Sequence, residues 1–140
     1  RALEVIEITG KPFTANLPRA DSSRFPDALQ FGLVMEREHL GERIDLRVEK
    51  MWEQGFVAEV DALIADGILE GSTAQRALGY SALIAMRAGE MTEVEAKEET
   101  KRSTRQYARR QETWFSRDAR IQWIAPHQPR LETIMQKINS

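Results

Sequence analysis

Thr92-Glu93-Val94-Glu95 and, on the same helical run, Thr104-Arg105-Gln106-Tyr107-Ala108-Arg109-Arg110-Gln111-Glu112-Thr113-Trp114-Phe115 decide how this chain is read. The first segment has the form of a capping box. The Thr92 hydroxyl can accept from the backbone N–H of Glu95, and the Glu95 carboxylate can reach back to that of Thr92. The spacing predicts the longest helix of the chain, from 92 to about 115. Acids (Glu93, Glu95, Glu98, Glu99) fill its first turns and bases its last turns, as the helix dipole favours. Between Lys101 and Arg120 there are seven basic residues against two acidic ones, a local balance of +5 in a chain of net charge -2. Charge concentrated in one segment points to a specific anionic partner rather than to general solubility.

Downstream, Arg120-Ile121-Gln122-Trp123-Ile124 reads as a short strand. Leu131, Ile134, Met135 and Ile138 then mark a short amphipathic helix at i, i+3, i+4, i+7. Upstream, a helix through Leu83, Ile84 and Met86 ends at Gly89. A long helix begins near Glu38, with Leu40, Ile44, Val48 and Met51 on one buried face. Gly55 breaks or kinks it, and Phe56, Val60, Leu63 and Ile64 continue an apolar face to Gly67. Leu29-Gln30-Phe31-Gly32-Leu33-Val34-Met35 reads as a buried strand. Residues 12–28, with Pro12, Pro18, Pro26, Ser22 and Ser23, read as a loop. The first residues form a helix that stops at Gly10.

This is a mainly α fold with two short strands. Two short strands cannot make a stable sheet alone, so the expectation is a larger sheet whose other strands lie upstream. Arg1 is not Met and no capping residue precedes its helix, so the chain reads as a piece of a longer protein. Three units are expected: 1–28, the end of a helical insertion with a connecting loop; 29–124, part of an α/β core; and 125–140, a C-terminal amphipathic helix.

Several classes drop out. No apolar run approaches the roughly 20 residues of a bilayer span. No secretory signal is visible, and the absence of Cys removes disulfides and thiolate metal sites, which fits a cytoplasmic protein. His39 and His127 are too far apart to mark a metal site. Gly10-Lys11 is not a phosphate loop, because Pro12 stands where Ser or Thr is required. No pair of carboxylates is singled out as an acid–base couple.

Three constellations are left, each with two readings. Arg102, Arg105 and Arg109 share one helix face, and Tyr107 and Trp114 share another. Such a helix can hold phosphate and offer rings to an unstacked base. Equally, it can be a solvated basic helix with Tyr107, Trp114 and Phe115 in the core. Arg43 and Arg47, one turn apart, can clamp a diphosphate or pair with Glu42, Asp45 or Glu49. Arg76-Ala77-Leu78-Gly79-Tyr80 either lets a backbone approach a ligand or is a turn glycine before a helix.

These segments, in this order, resemble the C-terminal part of the bacterial tRNA dimethylallyltransferases, also called tRNA isopentenyltransferases. The matching residues are Arg1-Ala2-Leu3-Glu4-Val5 with Thr9-Gly10-Lys11-Pro12; Arg43-Ile44, Arg47-Val48, Met51, Gly55-Phe56 and Glu59-Val60; Leu78-Gly79-Tyr80; and Thr104 to Gln111 with Thr113-Trp114-Phe115. The likeness runs to about residue 124. It implies the C-terminal fragment of a P-loop-type α/β enzyme, cytoplasmic and a monomer when whole. Its substrates would be dimethylallyl diphosphate and the anticodon stem-loop of tRNA. The dimethylallyl group would go to N6 of the adenine adjacent to the anticodon, flipped out of its stack, with Mg²⁺ assisting. The resemblance puts the phosphate loop and the catalytic carboxylate in an N-terminal half, so no catalytic residue is expected on this chain, which alone would be inactive.

Carried over by position, Arg47 and Arg43 are expected at the diphosphate. Arg1, the turn Arg76, Ala77, Leu78, Gly79, Tyr80 and Ser81, Arg105, and the helix end Arg109, Arg110, Gln111, Glu112, Thr113, Trp114, Phe115 and Ser116 are expected at tRNA. Three positions depart from the family pattern: Ser116 where Arg is usual, Ser81 where Lys or Arg is usual, and Glu112 where a neutral or apolar residue is common. The alternative function is a non-catalytic helical RNA-binding or adaptor module.

Overall fold

The computed structural model describes residues 2–16, 25 and 27–139. Arg1 and most of the proline-bearing loop, including Pro18, Ser22, Ser23 and Pro26, lie outside the described residues. In chain order the elements are α1 (Ala2–Thr9), a 3-10 turn (Phe13–Asn16), β1 (Gln30–Leu33), α2 (Arg37–Glu53), α3 (Phe56–Ala65), two further 3-10 turns (Ile68–Glu70 and Ala74–Arg76), α4 (Tyr80–Arg87), α5 (Glu93–Phe115), β2 (Ile121–Ile124) and α6 (Arg130–Ile138).

The longest helix starts as its sequence predicts. The Thr92 N–H donates to Glu95 Oε2 at 2.7 Å and the Glu95 N–H to Thr92 Oγ1 at 3.3 Å. The Thr92 backbone N–H, and after it the Thr92 hydroxyl, which donates to the same Oε2 at 2.8 Å, hold the Glu95 carboxyl below its usual range. Its last turn departs from expectation. That turn carries Glu112 and no base, because Arg109 and Arg110 sit one turn earlier. An acid there opposes the helix dipole, and Arg37 of α2 offsets it from 3.7 Å.

Gly55, at φ +96°, separates α2 from α3 by a left-handed residue that side chains disfavour. The chain then folds back, and Phe56, Val60, Ala82, Leu83 and Ala96 bury together between α3, α4 and α5. Burial of a side chain such as Leu83 contributes about 1.5–3 kcal/mol. The Phe56 ring meets Trp52 edge-on at 5.3 Å and Tyr80 at 5.7 Å. Thr100 is also buried, its hydroxyl satisfied by the Ala96 carbonyl at 2.8 Å. Arg87 of α4 is ion-paired with Asp61 of α3 across the outside of this core.

β1 and β2 pair in parallel, with Gln30 opposite Ile121 and Leu33 opposite Ile124. Gly32 faces Trp123, and a Cβ at Gly32 would run into the Trp123 ring. The strand around Phe31 is not buried as its apolar composition predicts: Leu29, Leu33 and Val34 are exposed. The reason is coverage, because among the described residues the sheet has two strands only. Leu3 and Ile8 of α1 and Leu131 and Ile138 of α6 are likewise exposed. Among the described residues no helix is long and apolar enough to cross a membrane.

Two glycines make opposite predictions for unfolding by urea. Gly79 has φ +87°, and a Cβ there would meet the Phe56 ring at 2.9 Å and Thr100 Cγ2 at 3.2 Å. Gly79→Ala should cost about 1–3 kcal/mol of stability. Gly41 lies inside α2 with nothing within 4 Å of such a Cβ, so Gly41→Ala should stabilise by roughly 0.5–1 kcal/mol. A third expectation concerns pH. The side chain and backbone N–H of Arg120 hold the Asp118 carboxyl well below the usual range, at about 2. A depressed carboxylate contributes stability above its unfolded pKa of about 3.9 and loses it as pH falls through the folded value. The difference in unfolding midpoint between wild type and Asp118→Asn should therefore be widest above about pH 4 and close towards pH 2.

Candidate functional site

α2 separates its charges onto two sides. Arg43, Arg47 and Lys50 follow i, i+4, i+7 and line one open groove of about 610 Å³ together with Met35, Leu40 and Met51. Two of the acids that could have neutralised the arginines are bonded to α5. Asp45 is ion-paired with Arg105 of α5. Glu49 accepts from Lys101 at 2.7 Å and Lys97 at 2.8 Å, and these lysines, Lys101 most, keep its carboxyl below the usual range. Glu42 faces His39 at 3.6 Å. Among the described residues, neither Arg43 nor Arg47 has an ion-pair partner, so the local-pairing reading of these arginines fails. Lys50 was not singled out in the sequence; its signal is its position seven residues after Arg43.

The second cationic feature lies on the C-terminal part of α5. Arg109, Arg110, Thr113, Trp114 and Arg117 border a shallow depression of about 240 Å³. Trp114 is 68% exposed and Tyr107 45%, so the reading that places these rings in the core fails. The core of α5 is instead its N-terminal half, Ala96 and Thr100, where α4 packs. Phe115 braces Trp114 edge-on at 5.2 Å, and the Arg110 guanidinium stands over the Tyr107 ring at 5.8 Å. Gln111 is exposed. The Thr113 and Ser116 hydroxyls bond back to the Arg109 and Thr113 carbonyls at 3.0 and 3.1 Å.

Arg102, Arg105 and Arg109 share a face by spacing but do not act as three free guanidiniums. Arg102 is paired with Glu99 and Arg105 with Asp45, which leaves Arg109 as the one exposed cation of the three without an ion pair among the described residues.

The turn before α4 is built differently from a ligand-approach loop. Arg76, Ala77, Leu78 and Ser81 are exposed, whereas Gly79 is buried against Phe56 and Thr100. The glycine permits close approach to the helical core. The Tyr80 hydroxyl donates to Glu59 Oε1 at 2.5 Å, which fixes the ring and raises its pKa. Nine residues separate Thr100 from Arg109, about 13 Å along α5 at 1.5 Å per residue, so the turn and the Arg109 depression are spaced along one helix. Arg1 lies outside the described residues. Among the described residues no group of three or more His, Asp or Glu side chains could hold a metal ion.

The comparisons agree on one kinship. A family model described as IPP transferase matches residues 1–118. A tRNA dimethylallyltransferase of Streptomyces griseus is 58% identical over 124 residues, covering 89% of this chain and 39% of the relative. One from Thermobifida fusca is 57% identical over 131 residues, covering 94% and 40%. The chain thus spans about two fifths of the length of the curated relatives it matches. Among solved structures, a tRNA delta(2)-isopentenylpyrophosphate transferase from Staphylococcus epidermidis superposes with a TM-score of 0.76 at 33% identity, over 99% of this chain and 46% of that one. A full-length tRNA isopentenylpyrophosphate transferase from Bacillus halodurans gives 0.71 at 32%, over 98% and 41%. The mostly helical architecture with its parallel strand pair is that of these enzymes, and the chain belongs to the IPP transferase family.

Proposed function

We propose that this chain is the C-terminal part of an enzyme that moves a dimethylallyl group from dimethylallyl diphosphate to N6 of the adenine adjacent to the anticodon in tRNA. The observation that carries the reading is the bare cationic stripe. Arg43 and Arg47 have three acids within one turn; Asp45 and Glu49 are ion-paired to α5, Glu42 is turned towards His39, and among the described residues none of the three pairs with either arginine. Arginines without a protein counter-charge are suited to a diphosphate, which guanidinium binds through paired hydrogen bonds. In this reading residues 29–124 belong to the catalytic core, residues 1–28 close a helical insertion, and residues 125–140 form an appended helix.

In the reaction, the N6 nitrogen forms a bond to C1 of the prenyl group as the C1–O bond breaks. The electron pair leaves with the diphosphate, and the N6 proton passes to a base on another part of the protein. Arg43, Arg47 and Lys50 stabilise the charge that grows on the leaving diphosphate, so they bind the transition state more strongly than the ground state. Mg²⁺ would add to this charge stabilisation from elsewhere in the whole protein. The described residues offer it no ligand cluster.

α5 positions the other substrate. Arg109, Arg110 and Arg117 meet phosphates of the anticodon stem-loop, and Trp114, braced by Phe115, offers a stacking surface to an unpaired base. Gln111, Thr113 and Ser116 supply neutral hydrogen-bonding groups beside them. The exposed turn Arg76, Ala77, Leu78 and Ser81 meets the same RNA further along, with Gly79 and Tyr80 shaping it. Arg1, which lies outside the described residues, is a further candidate contact to the tRNA by its place in the sequence. The whole protein works as a monomer in the cytoplasm, and this chain alone does not catalyse.

Prenyl transfer to an anticodon stem-loop by the whole protein is the direct test. Arg47→Ala should lower kcat/KM for the donor by about 10- to 100-fold, and unchanged kinetics would remove Arg47 from the site. The RNA face has a separate signature. Trp114→Ala should weaken stem-loop binding by roughly 5- to 50-fold with its salt dependence retained. Arg109→Gln should instead flatten the plot of log affinity against log salt by about one unit. If neither variant altered stem-loop affinity, α5 would not be the RNA face.

A further inference from the structure

Arg105 stands within the stretch whose pattern points to RNA, yet its guanidinium is bonded to Asp45 on α2 and is only 34% exposed. This is one rung of a ladder. α2 and α5 run antiparallel, with Arg37 against Glu112, Asp45 against Arg105, and Glu49 against Lys101 and Lys97. Asp45 and Glu49 each lie two residues from Arg47, and that offset turns them to the far side of the helix. They still stand within a turn of the cationic stripe. Unpaired, their charges would lower the positive potential that Arg43, Arg47 and Lys50 offer an anion.

We infer that Arg105 is a positioning residue for the diphosphate face rather than an RNA contact: it holds and neutralises Asp45, so that the stripe on the opposite side of α2 stays unopposed. Lys97 and Lys101 do the same for Glu49 one turn on. This inference rests on the reading of that stripe as the prenyl diphosphate site. It also gives Glu112 a partner in Arg37 at the end of the ladder.

The test uses the whole protein, with inorganic pyrophosphate binding measured by calorimetry and anticodon stem-loop binding measured across a salt series. Arg105→Gln should weaken pyrophosphate about fivefold while the stem-loop affinity and its salt slope stay as in wild type. Adding Asp45→Asn to Arg105→Gln should restore pyrophosphate affinity to within about twofold of wild type, because the bare acid is gone. A merely structural loss would disturb α5 and so lower stem-loop affinity along with pyrophosphate affinity. Asp45→Asn alone should bind pyrophosphate at least as tightly as wild type.

The inference is overturned if Arg105→Gln leaves pyrophosphate affinity unchanged, if the double variant binds no better than the single one, or if Asp45→Asn weakens binding. It is equally overturned if Arg105→Gln weakens the stem-loop and flattens its salt slope, or if wild type binds no pyrophosphate. Prenyl transfer by wild type is measured alongside. No transfer sinks the proposed function whatever the variants do, whereas active wild type with an indifferent Arg105→Gln sinks this inference alone.

Discussion

The Phe56 ring lies against Gly79 and Thr100, and at that contact three helices meet. A side chain at position 79 would push α4 away from α3 and α5, since the nearest atoms are a buried ring and a buried methyl group rather than a movable tip. From this point the rest of the arrangement follows. Ala82, Leu83 and Ala96 close the core beside it, and Tyr80 turns its hydroxyl outward to Glu59. With its N-terminal half held there, α5 projects its C-terminal half away from the core. The exposure of Tyr107 and Trp114 is a consequence of that geometry.

The second constraint is electrostatic. α2 carries acids and bases at nearly every turn, and in isolation many pairings within it are open. Packing beside α5 selects among them. α5 brings Lys97, Lys101 and Arg105 to the α2 face that holds Glu49 and Asp45. A surface ion pair by itself adds little stability. Its effect here is to distribute charge: α2 is neutral towards α5 and cationic towards the groove. The two binding faces of the proposed enzyme are therefore built on one helix pair, the groove on α2 and the depression on α5.

Much of this fold was legible in the chain. The capping box at Thr92 and Glu95, the break at Gly55 and the apolar periodicity through Ile44, Val48, Phe56 and Val60 all act within a turn or two, so local rules suffice to read them. The strand at Gln30–Leu33 was also readable, but its burial was not. Apolar composition reports what a strand tolerates on its faces, and coverage depends on neighbours that a local window does not contain. The same limit applied to Gly79. A glycine before a helix can serve a ligand or a packed core, and only its approach to Phe56 and Thr100 distinguishes them.

Neighbouring residues were enough to read the elements, the family and the two cationic segments, because periodicity, caps and motif spacing are local features of a chain. They also brought Arg43 and Arg47 to notice as a pair one turn apart. Tertiary structure alone decided which cations are free. Arg105 and Arg109 look alike in the chain, yet one is bonded to Asp45 and the other is open to solvent. Which acid meets which base depends on residues between 48 and 75 positions apart, brought together by the antiparallel packing of α2 on α5. A helix read alone shows its charges but not their partners, and here the partners separate a binding face from a structural one.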